Sequence, residues 1–147
     1  MRLMGLDIGD KRIGISVSDE LLWTAQSLMV LERRDLISDI RAIKDAIDAN
    51  GVTEVYMGMP LNMDGSKGFK ADGVEKFAEH FRKYIDTPVH FVDERLTTAQ
   101  AHRSMLEGDL SRNKRKKRVD AIAAQLILQT HLDRLRIARD REERLRP

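Results

Sequence analysis

The first part of the chain has the apolar pattern of β-strands. Leu3–Ile8 is an apolar run interrupted by Asp7, and in Arg12–Ser18 apolar residues alternate with small or polar ones. A period of two is typical of a strand with one buried face. The intervening Gly9–Lys11 segment favours a tight hairpin turn. With a third strand at Ser27–Leu31, the pattern predicts an antiparallel meander.

After the meander the apolar spacing changes to 3.6 residues, which predicts helices. Asp35 is placed to cap the start of a first helix, and Asn50-Gly51 ends it. A strand at Glu54–Met59 and a polar loop at Asn62–Gly68 follow. The second helix has a buried stripe made of Val74, Phe77, Ala78, Phe81 and Ile85.

The C-terminal part predicts one more strand and two more helices. Pro88–Asp93 reads as the fifth strand, and Thr97-Thr98 opens a helix that runs through Met105. A basic loop at Glu107–Arg118 is expected to lead into a long final helix with the apolar residues Ile122, Ala123, Leu126, Ile127 and Leu132.

The order βββαβαβαα predicts an α/β fold. Strands that are separated by a helix run parallel, whereas strands joined by a short turn run antiparallel. We therefore expect a five-stranded mixed sheet, an antiparallel meander followed by parallel strands, flanked by helices. Residues 1–138 are expected to form a single domain, and the charged residues 139–147 a frayed or disordered tail.

Composition narrows the kind of protein further. The 147 residues are 41% hydrophobic and 34% charged, which is typical of a soluble globular domain. The absence of Cys excludes disulfides and cysteine-bound metal sites. The N-terminal apolar run is too short for a signal peptide, and no stretch is apolar enough to span a membrane. We therefore expect a cytoplasmic protein without membrane contact.

Charge is unevenly distributed along the chain. Residues 1–100 carry 13 Lys and Arg against 17 Asp and Glu, whereas residues 101–147 carry 13 against 7. The run Arg112–Arg118 places six cations in seven residues directly before Asp120. Such a run is either a solvated helix face or a surface that holds a phosphate backbone. Its position beside an acidic residue favours contact with nucleic acid.

Carboxylates occur at three places that the predicted fold brings together. Asp7 lies inside an apolar strand, where an ionised carboxylate is costly unless it is paired or binds a metal. Asp93 and Glu94 end the fifth strand, and adjacent strand residues face opposite sides, so one of them is expected on the side of Asp7. Asp120 is expected in the first turn of the final helix. The structural alternatives are a turn cap at Asp7 and a favourable helix-terminus charge at Asp120.

Three converging carboxylates form the oxygen ligand set that Mg²⁺ or Mn²⁺ prefers. The four His show no ligand spacing, which argues against zinc. Two such cations can activate a water molecule and stabilise the leaving oxygen of a phosphodiester. The residues therefore support the hypothesis of metal-dependent phosphodiester hydrolysis.

Four segments resemble the motifs of the YqgF family, also called RuvX or Holliday junction resolvase-like proteins. They are GLDIGDKRIGIS, VYMGMPLNMDGS, FVDERLTTAQA and RVDAIAAQLILQ, in the order of the family. The resemblance covers Leu3 to about Leu135. It implies a ribonuclease H-like fold and a nuclease that matures the 5′ end of the small-subunit (16S) rRNA precursor in ribosome biogenesis.

The resemblance also assigns roles to individual residues. It implies that Asp7, Glu94 and Asp120 are the catalytic and metal-binding acids, with Asp93 as the alternative ligand. Nucleic-acid contacts are expected from the basic pair after the first strand, from the arginine of the third motif and from the basic run: Lys11, Arg12, Arg95, Lys114, Arg115, Lys116, Lys117 and Arg118.

Alternative functions remain open from the sequence. A resolvase of four-way DNA junctions would need a homodimer that presents two sites, and the sequence leaves monomer and homodimer open. A non-catalytic nucleic-acid-binding module would not need the acids. A nucleotide phosphotransferase would need a second domain, for which the chain is too short. The first hypothesis is an endonuclease for structured RNA, with precursor rRNA and a ribosomal particle as partners.

Overall fold

Five strands and three helices make up the part of the chain that the structure describes. The structure is a computed structural model that describes residues 1–96 and 112–146, with side chains from residue 118 onward in the second range. The elements are β1 (Arg2–Ile8), β2 (Arg12–Ser18), β3 (Ala25–Glu32), α1 (Leu36–Asn50), β4 (Val52–Met59), α2 (Phe69–Tyr84), β5 (Val89–Asp93) and α3 (Arg112–Leu145). One turn of 3-10 helix, Glu94–Leu96, follows β5.

The strands form one mixed sheet in the order β3-β2-β1-β4-β5. The pairs β1–β2 and β2–β3 are antiparallel, and the pairs β1–β4 and β4–β5 are parallel. The predicted meander followed by parallel strands is thus confirmed. Because β1 is the central strand, the end of β1 lies between the start of β2 and the end of β4.

The two faces of the sheet are covered by different helices. Met4 and Leu6 of β1 face a core that α1 and α2 close, whereas Leu3 faces a second core with Ile127 and Leu128 of α3. Alternation along the strand explains this division. It follows that Gly5 and Asp7 of β1 face α3.

Helix α1 has the ends that the sequence predicted. The Asp35 carboxylate accepts a hydrogen bond from the backbone N–H of Ser38, which caps the first turn. At the other end Gly51 adopts a left-handed conformation with φ 62°, and its N–H donates to the carbonyl of Ile47.

Helix α3 differs from the prediction at both ends. It begins at Arg112, so the basic run is helical and Asp120 lies about two turns inside the helix, not in its first turn. It continues through Leu145, where a frayed tail was expected, although residues from Arg136 onward are exposed. Both segments are rich in Lys, Arg and Glu and contain no Gly or Pro before Pro147. Strong helix formers extend a helix that is already anchored.

Other predicted boundaries shift by a few residues or lie outside the description. Strand β3 is longer than predicted, and β4 begins two residues earlier. The predicted helix from Thr97 to Met105 lies outside the described residues. The division into one domain and a tail stays a prediction. No helix in the described ranges is long and apolar enough to cross a membrane.

Candidate active site

The first acidic residue of the site, Asp7, comes from the central strand. Its register partner in β2 is Gly14, and its side chain faces α3. The residue is only 6% exposed. After its first residue, β1 is apolar except at Asp7, and it thus places a buried carboxylate at the end of the sheet where β1 and β4 finish together.

The second acidic residue, Glu94, begins the 3-10 turn after β5 and is 1% exposed. Its side chain reaches over β4. A Cβ added to Gly58 would lie 3.1 Å from Oε1 of Glu94 and 2.5 Å from Cδ1 of Ile127. Gly58 therefore leaves the room that Glu94 occupies between the sheet and α3.

The third acidic residue, Asp120, is carried onto the sheet by a close approach of α3 to β2. A Cβ on Gly14 would stand 2.2 Å from the carbonyl oxygen of Asp120, a distance that no side chain can occupy. Ser16, two residues along β2, donates a hydrogen bond of 2.7 Å to the carbonyl of Ala124. Because Gly14 pairs with Asp7, this approach brings Asp120 to the neighbourhood of Asp7.

The three acids predicted for the site line one cleft. Its volume is about 930 Å³, and it opens between the ends of β1 and β4, the first turns of α2 and the segment of α3 around Asp120. The other charged residues in its lining are Asp10, Lys11, Arg12, Arg33, Lys70, Asp72 and Lys76. Asp7, Glu94 and Asp120 each make further polar or electrostatic contacts.

The donor chemistry of this cleft suits a hard divalent cation, because its buried acids offer only oxygen ligands. Within the described ranges, however, no three His, Asp or Glu side chains stand close enough together to form a ready metal site. The fit to Mg²⁺ or Mn²⁺ therefore rests on ligand type and on a shared cleft.

The alternative ligand, Asp93, is engaged elsewhere. Arg95 donates to it from Nε at 3.1 Å and from Nη2 at 2.7 Å, and the backbone N–H of Arg95 adds a third bond. The Arg95 guanidinium accordingly holds the pKa of Asp93 below its usual value. Neither residue lines the cleft. These contacts favour Glu94 over Asp93 as the acid that faces Asp7.

Arg95 connects the end of β5 to the polar loop between β4 and α2. Its Nη1 lies 3.4 Å from the carbonyl oxygen of Met63 and would lie 3.2 Å from a Cβ on Gly65, which has φ 87°. Within that loop Asp64 accepts hydrogen bonds from the hydroxyl and N–H of Ser66, which lower the pKa of Asp64. Arg95 is thus placed to order this loop.

The predicted basic residues fall into two groups. Lys11 and Arg12 line the cleft, and Nε of Arg12 donates to Glu32 at 3.0 Å. The run Lys114, Arg115, Lys116, Lys117 and Arg118 lies in the first two turns of α3. Arg118 is exposed, and the other four side chains lie outside the described part.

Sequence reasoning missed three cations of the cleft, namely Arg33, Lys70 and Lys76. They come from the end of β3 and from the first turns of α2. Single cations on helices and strand ends carry no recognisable pattern. Residues 1–100 have a net negative charge, and this total gave no indication that they supply five cations to one cleft.

Comparisons with known proteins identify the family of this chain. The family model RuvX, described as a Holliday junction resolvase, matches residues 1–134. A protein of Moorella thermoacetica named "Putative pre-16S rRNA nuclease" is 50% identical over 92% of this chain and 96% of its own. A protein of Clostridium perfringens with the same name is 49% identical over 92% of this chain and 98% of its own.

Solved structures with the same fold are more distant in sequence. Thermus thermophilus RuvC in complex with a Holliday junction substrate aligns with a TM-score of 0.60 at 15% identity, over 94% of this chain and 96% of RuvC. The fowlpox virus Holliday junction resolvase aligns with a TM-score of 0.51 at 16% identity, over 92% and 99%. The expected ribonuclease H-like fold is thereby confirmed, and the family match shows that this chain belongs to the RuvX family.

Proposed function

We propose that this protein is a metal-dependent endonuclease that hydrolyses phosphodiester bonds of structured RNA, at the 5′ end of the small-subunit rRNA precursor. The observation that carries this proposal is that Asp7, Glu94 and Asp120 line one cleft together with five cations. The names of the Moorella and Clostridium relatives support the choice of substrate.

The residues of the cleft divide into two chemical roles. The carboxylates of Asp7, Glu94 and Asp120, of which the first two are buried, would hold Mg²⁺ or Mn²⁺, which supplies water activation and stabilisation of the leaving oxygen when bound. The cations around them, Lys11 and Arg12 among them, would hold the phosphate backbone over the acids. A non-catalytic module has no use for the two buried carboxylates of Asp7 and Glu94 beside Asp120 in one cleft, which favours the enzyme.

Cleavage of the precursor tests the proposal directly. The full chain is incubated with precursor small-subunit rRNA, free and within a ribosomal particle, in Mg²⁺, Mn²⁺ or EDTA, and the 5′ ends are mapped. We expect cleavage at the mature 5′ end with metal and none in EDTA. Asp7→Asn should abolish it. Cleavage by this variant at the rate of the wild type would contradict the assignment.

Thermal melts with and without metal test the acids independently of activity. A cation that binds only the native protein raises its melting temperature by mass action, and Asp7→Asn should remove most of this rise. If Asp7 is only a turn cap, the substitution instead costs about 1 kcal/mol of stability and leaves the metal response unchanged.

A four-way DNA junction is the alternative substrate, favoured by the description of the family and by the RuvC fold. A junction has two strands to cut symmetrically, so a resolvase acts as a dimer with two sites. Parallel incubation of the protein with a synthetic junction and with precursor RNA separates the two substrates. Preferential symmetric cutting of the junction would favour the resolvase.

A further inference from the structure

The guanidinium of Arg33 is held at the edge of the cleft by three contacts. Its Nε donates to Oδ2 of Asp39 at 3.3 Å, and its Nη1 donates to the carbonyl oxygen of Gly9 at 2.9 Å. The guanidinium carbon lies 5.4 Å from the centre of the Phe77 ring. An arginine that is already fixed in this way loses little rotamer entropy when it binds a ligand.

The carboxylate that holds Arg33 is itself fixed. Asp39 lies in the first turn of α1, is 2% exposed and accepts the backbone N–H of Arg34 at 3.0 Å. A buried carboxylate is costly unless a cation and hydrogen bonds compensate it. The pairing therefore anchors the guanidinium of Arg33 to α1.

Arg33 nevertheless faces the cleft. Its side chain is 27% exposed and lines the same cleft as Asp7. The hydrogen bonds to Asp39 and Gly9 use two of the five N–H donors of a guanidinium. The backbone N–H of Arg33 also donates to the carbonyl of Lys11 at 2.9 Å. Arg33 is thus attached to the β1–β2 turn by both main chain and side chain.

The other cations around the cleft are held differently. Lys11, Lys70 and Lys76 are exposed, and a lysine ammonium on its flexible stem binds phosphate as a point charge. Arg12 is paired with Glu32. Arg33 combines a planar donor fork, a buried anchor and exposure to the cleft, which is the combination that recognises a phosphate group by geometry.

We propose that Arg33 is a phosphate-binding residue of the cleft, which fixes the RNA backbone on the side formed by α1 and α2. This inference rests on the proposed nuclease function and deepens it. Helix α3, which carries the basic run, packs on the other face of the sheet through Ile127, Leu128 and Leu132. The RNA backbone is therefore held from the α1–α2 side by one preorganised arginine, close to the turn that follows Asp7.

Binding measured without cleavage tests this role. The probe is a labelled precursor-RNA fragment that spans the mature 5′ end, titrated in EDTA at several salt concentrations. We expect Arg33→Gln to weaken binding roughly tenfold and to reduce the salt slope by about one. Arg33→Lys should lose most of the affinity although it keeps the charge, because an ammonium cannot reproduce the fork.

Arg34 provides the matched control. It is the next residue, carries the same charge, is exposed and is absent from the lining of the cleft. Arg34→Gln and Arg34→Lys should bind RNA within about twofold of the wild type, since an exposed cation outside the cleft contributes only long-range attraction.

For Asp39→Asn, the two explanations predict opposite changes in RNA affinity. The substitution makes the protein more positive, so long-range attraction alone would strengthen RNA binding. If Asp39 holds Arg33 for phosphate binding, the affinity falls instead. Melting curves show whether this variant is folded at the assay temperature, and if it is not, the Arg33→Lys comparison decides.

The outcomes separate the two proposals. If the wild type binds RNA and the Arg33 variants behave like the Arg34 variants, the role of Arg33 is wrong and the nuclease function stands. If the wild type neither binds nor cleaves precursor RNA, both proposals are wrong.

Discussion

Two adjacent acids at the end of β5 show that a shift of one residue along the chain determines which side chain lines the cleft. Asp93 turns to Arg95 and stays outside the cleft, whereas Glu94 is buried and lines it. Consecutive residues at a strand end point in different directions, so neighbours of nearly identical chemistry take different roles.

A pair of conservative variants tests this division. Glu94→Gln should abolish metal-dependent cleavage of precursor RNA, because it removes a buried carboxylate of the cleft. Asp93→Asn should retain most of the cleavage and lose only part of the Arg95 pairing. End mapping and thermal melts of both variants check this. If Asp93→Asn lost activity and Glu94→Gln kept it, Asp93 and not Glu94 would be the acid required for cleavage.

His131 is the second residue with a measurable consequence. Its ring stacks on Tyr56 with centroids 3.8 Å apart, and its Nε2 is a buried atom with no hydrogen-bond partner. Burial, the largest cause, lowers the pKa of His131 below 6.5; the charge of Glu54 opposes this, whereas His90 and Arg134 lower the pKa further. The folded protein therefore favours the neutral ring.

The pH dependence of stability follows from the lowered pKa. Below pH 6.5 the unfolded chain takes up a proton at His131 before the folded protein does, so the contribution of the neutral ring is full above 6.5 and decreases as the pH falls. We expect His131→Phe to lose less stability than the wild type between pH 7 and 5, measured by denaturant unfolding. Parallel pH profiles would contradict this.

At the scale of elements, the placement of α3 on β2 is the contact on which the site depends. The carbonyl oxygen of Asp120 occupies the space that a side chain at position 14 would need, so only glycine fits there. The hydroxyl of Ser16 donates a hydrogen bond to the carbonyl of Ala124. Because α3 packs this closely on β2, Asp120 in its third turn lies near the end of β1.

Gly14→Ala tests this contact, with Gly73→Ala as its control. The first variant must push α3 away from β2, and overpacking of this kind costs about 1–3 kcal/mol. We also expect it to reduce cleavage because Asp120 moves. Gly73 lies in α2 with no atom near an added Cβ, so alanine there should stabilise the helix by up to about 1 kcal/mol. Equal unfolding midpoints for the two variants would contradict the close approach.

At the scale of the molecule, the positions of the charges around the cleft differ from what the net charges of residues 1–100 and 101–147 indicate. The segment 1–100 is net negative, yet Lys11, Arg33 and Lys70 from it line the cleft together with the acids. The basic run lies on α3, which covers the other face of the sheet. If the proposed function is right, nucleic acid bound at the acids would meet the cations that line the cleft, all of which come from residues 1–100.

The end of α3 extends beyond the packed body, and its removal tests how little it contributes to stability. Residues 139–146 are exposed, so deletion of Arg139–Pro147 should leave the melting temperature nearly unchanged. Leu132→Ala is the contrast, because Leu132 is 1% exposed and its truncation should cost about 2–5 kcal/mol. A large fall in melting temperature on deletion would show that the segment packs on the domain.

The sequence was sufficient for the elements whose signals are local. The ends of α1 were predictable because Asp35 and Gly51 satisfy the helix termini by themselves. The strand directions were predictable because short turns impose antiparallel pairs and helices impose parallel ones. The boundaries of α3 were not, since a run of cations is compatible with a loop as well as with a helix.

For the site, the sequence alone singled out Asp7, because a carboxylate inside an apolar strand is costly unless it is paired or binds a metal. It pointed to Asp120 and to one acid at the end of β5 by their places at a helix start and at a strand end. The family resemblance favoured Glu94 over Asp93, but only the tertiary structure shows that Glu94 lines the cleft and Asp93 does not, and only it brings Arg33 to the cleft. These outcomes depend on which atoms meet across the sheet, as at Gly14 and Gly58. Such contacts join residues far apart along the chain, so no local pattern contains them.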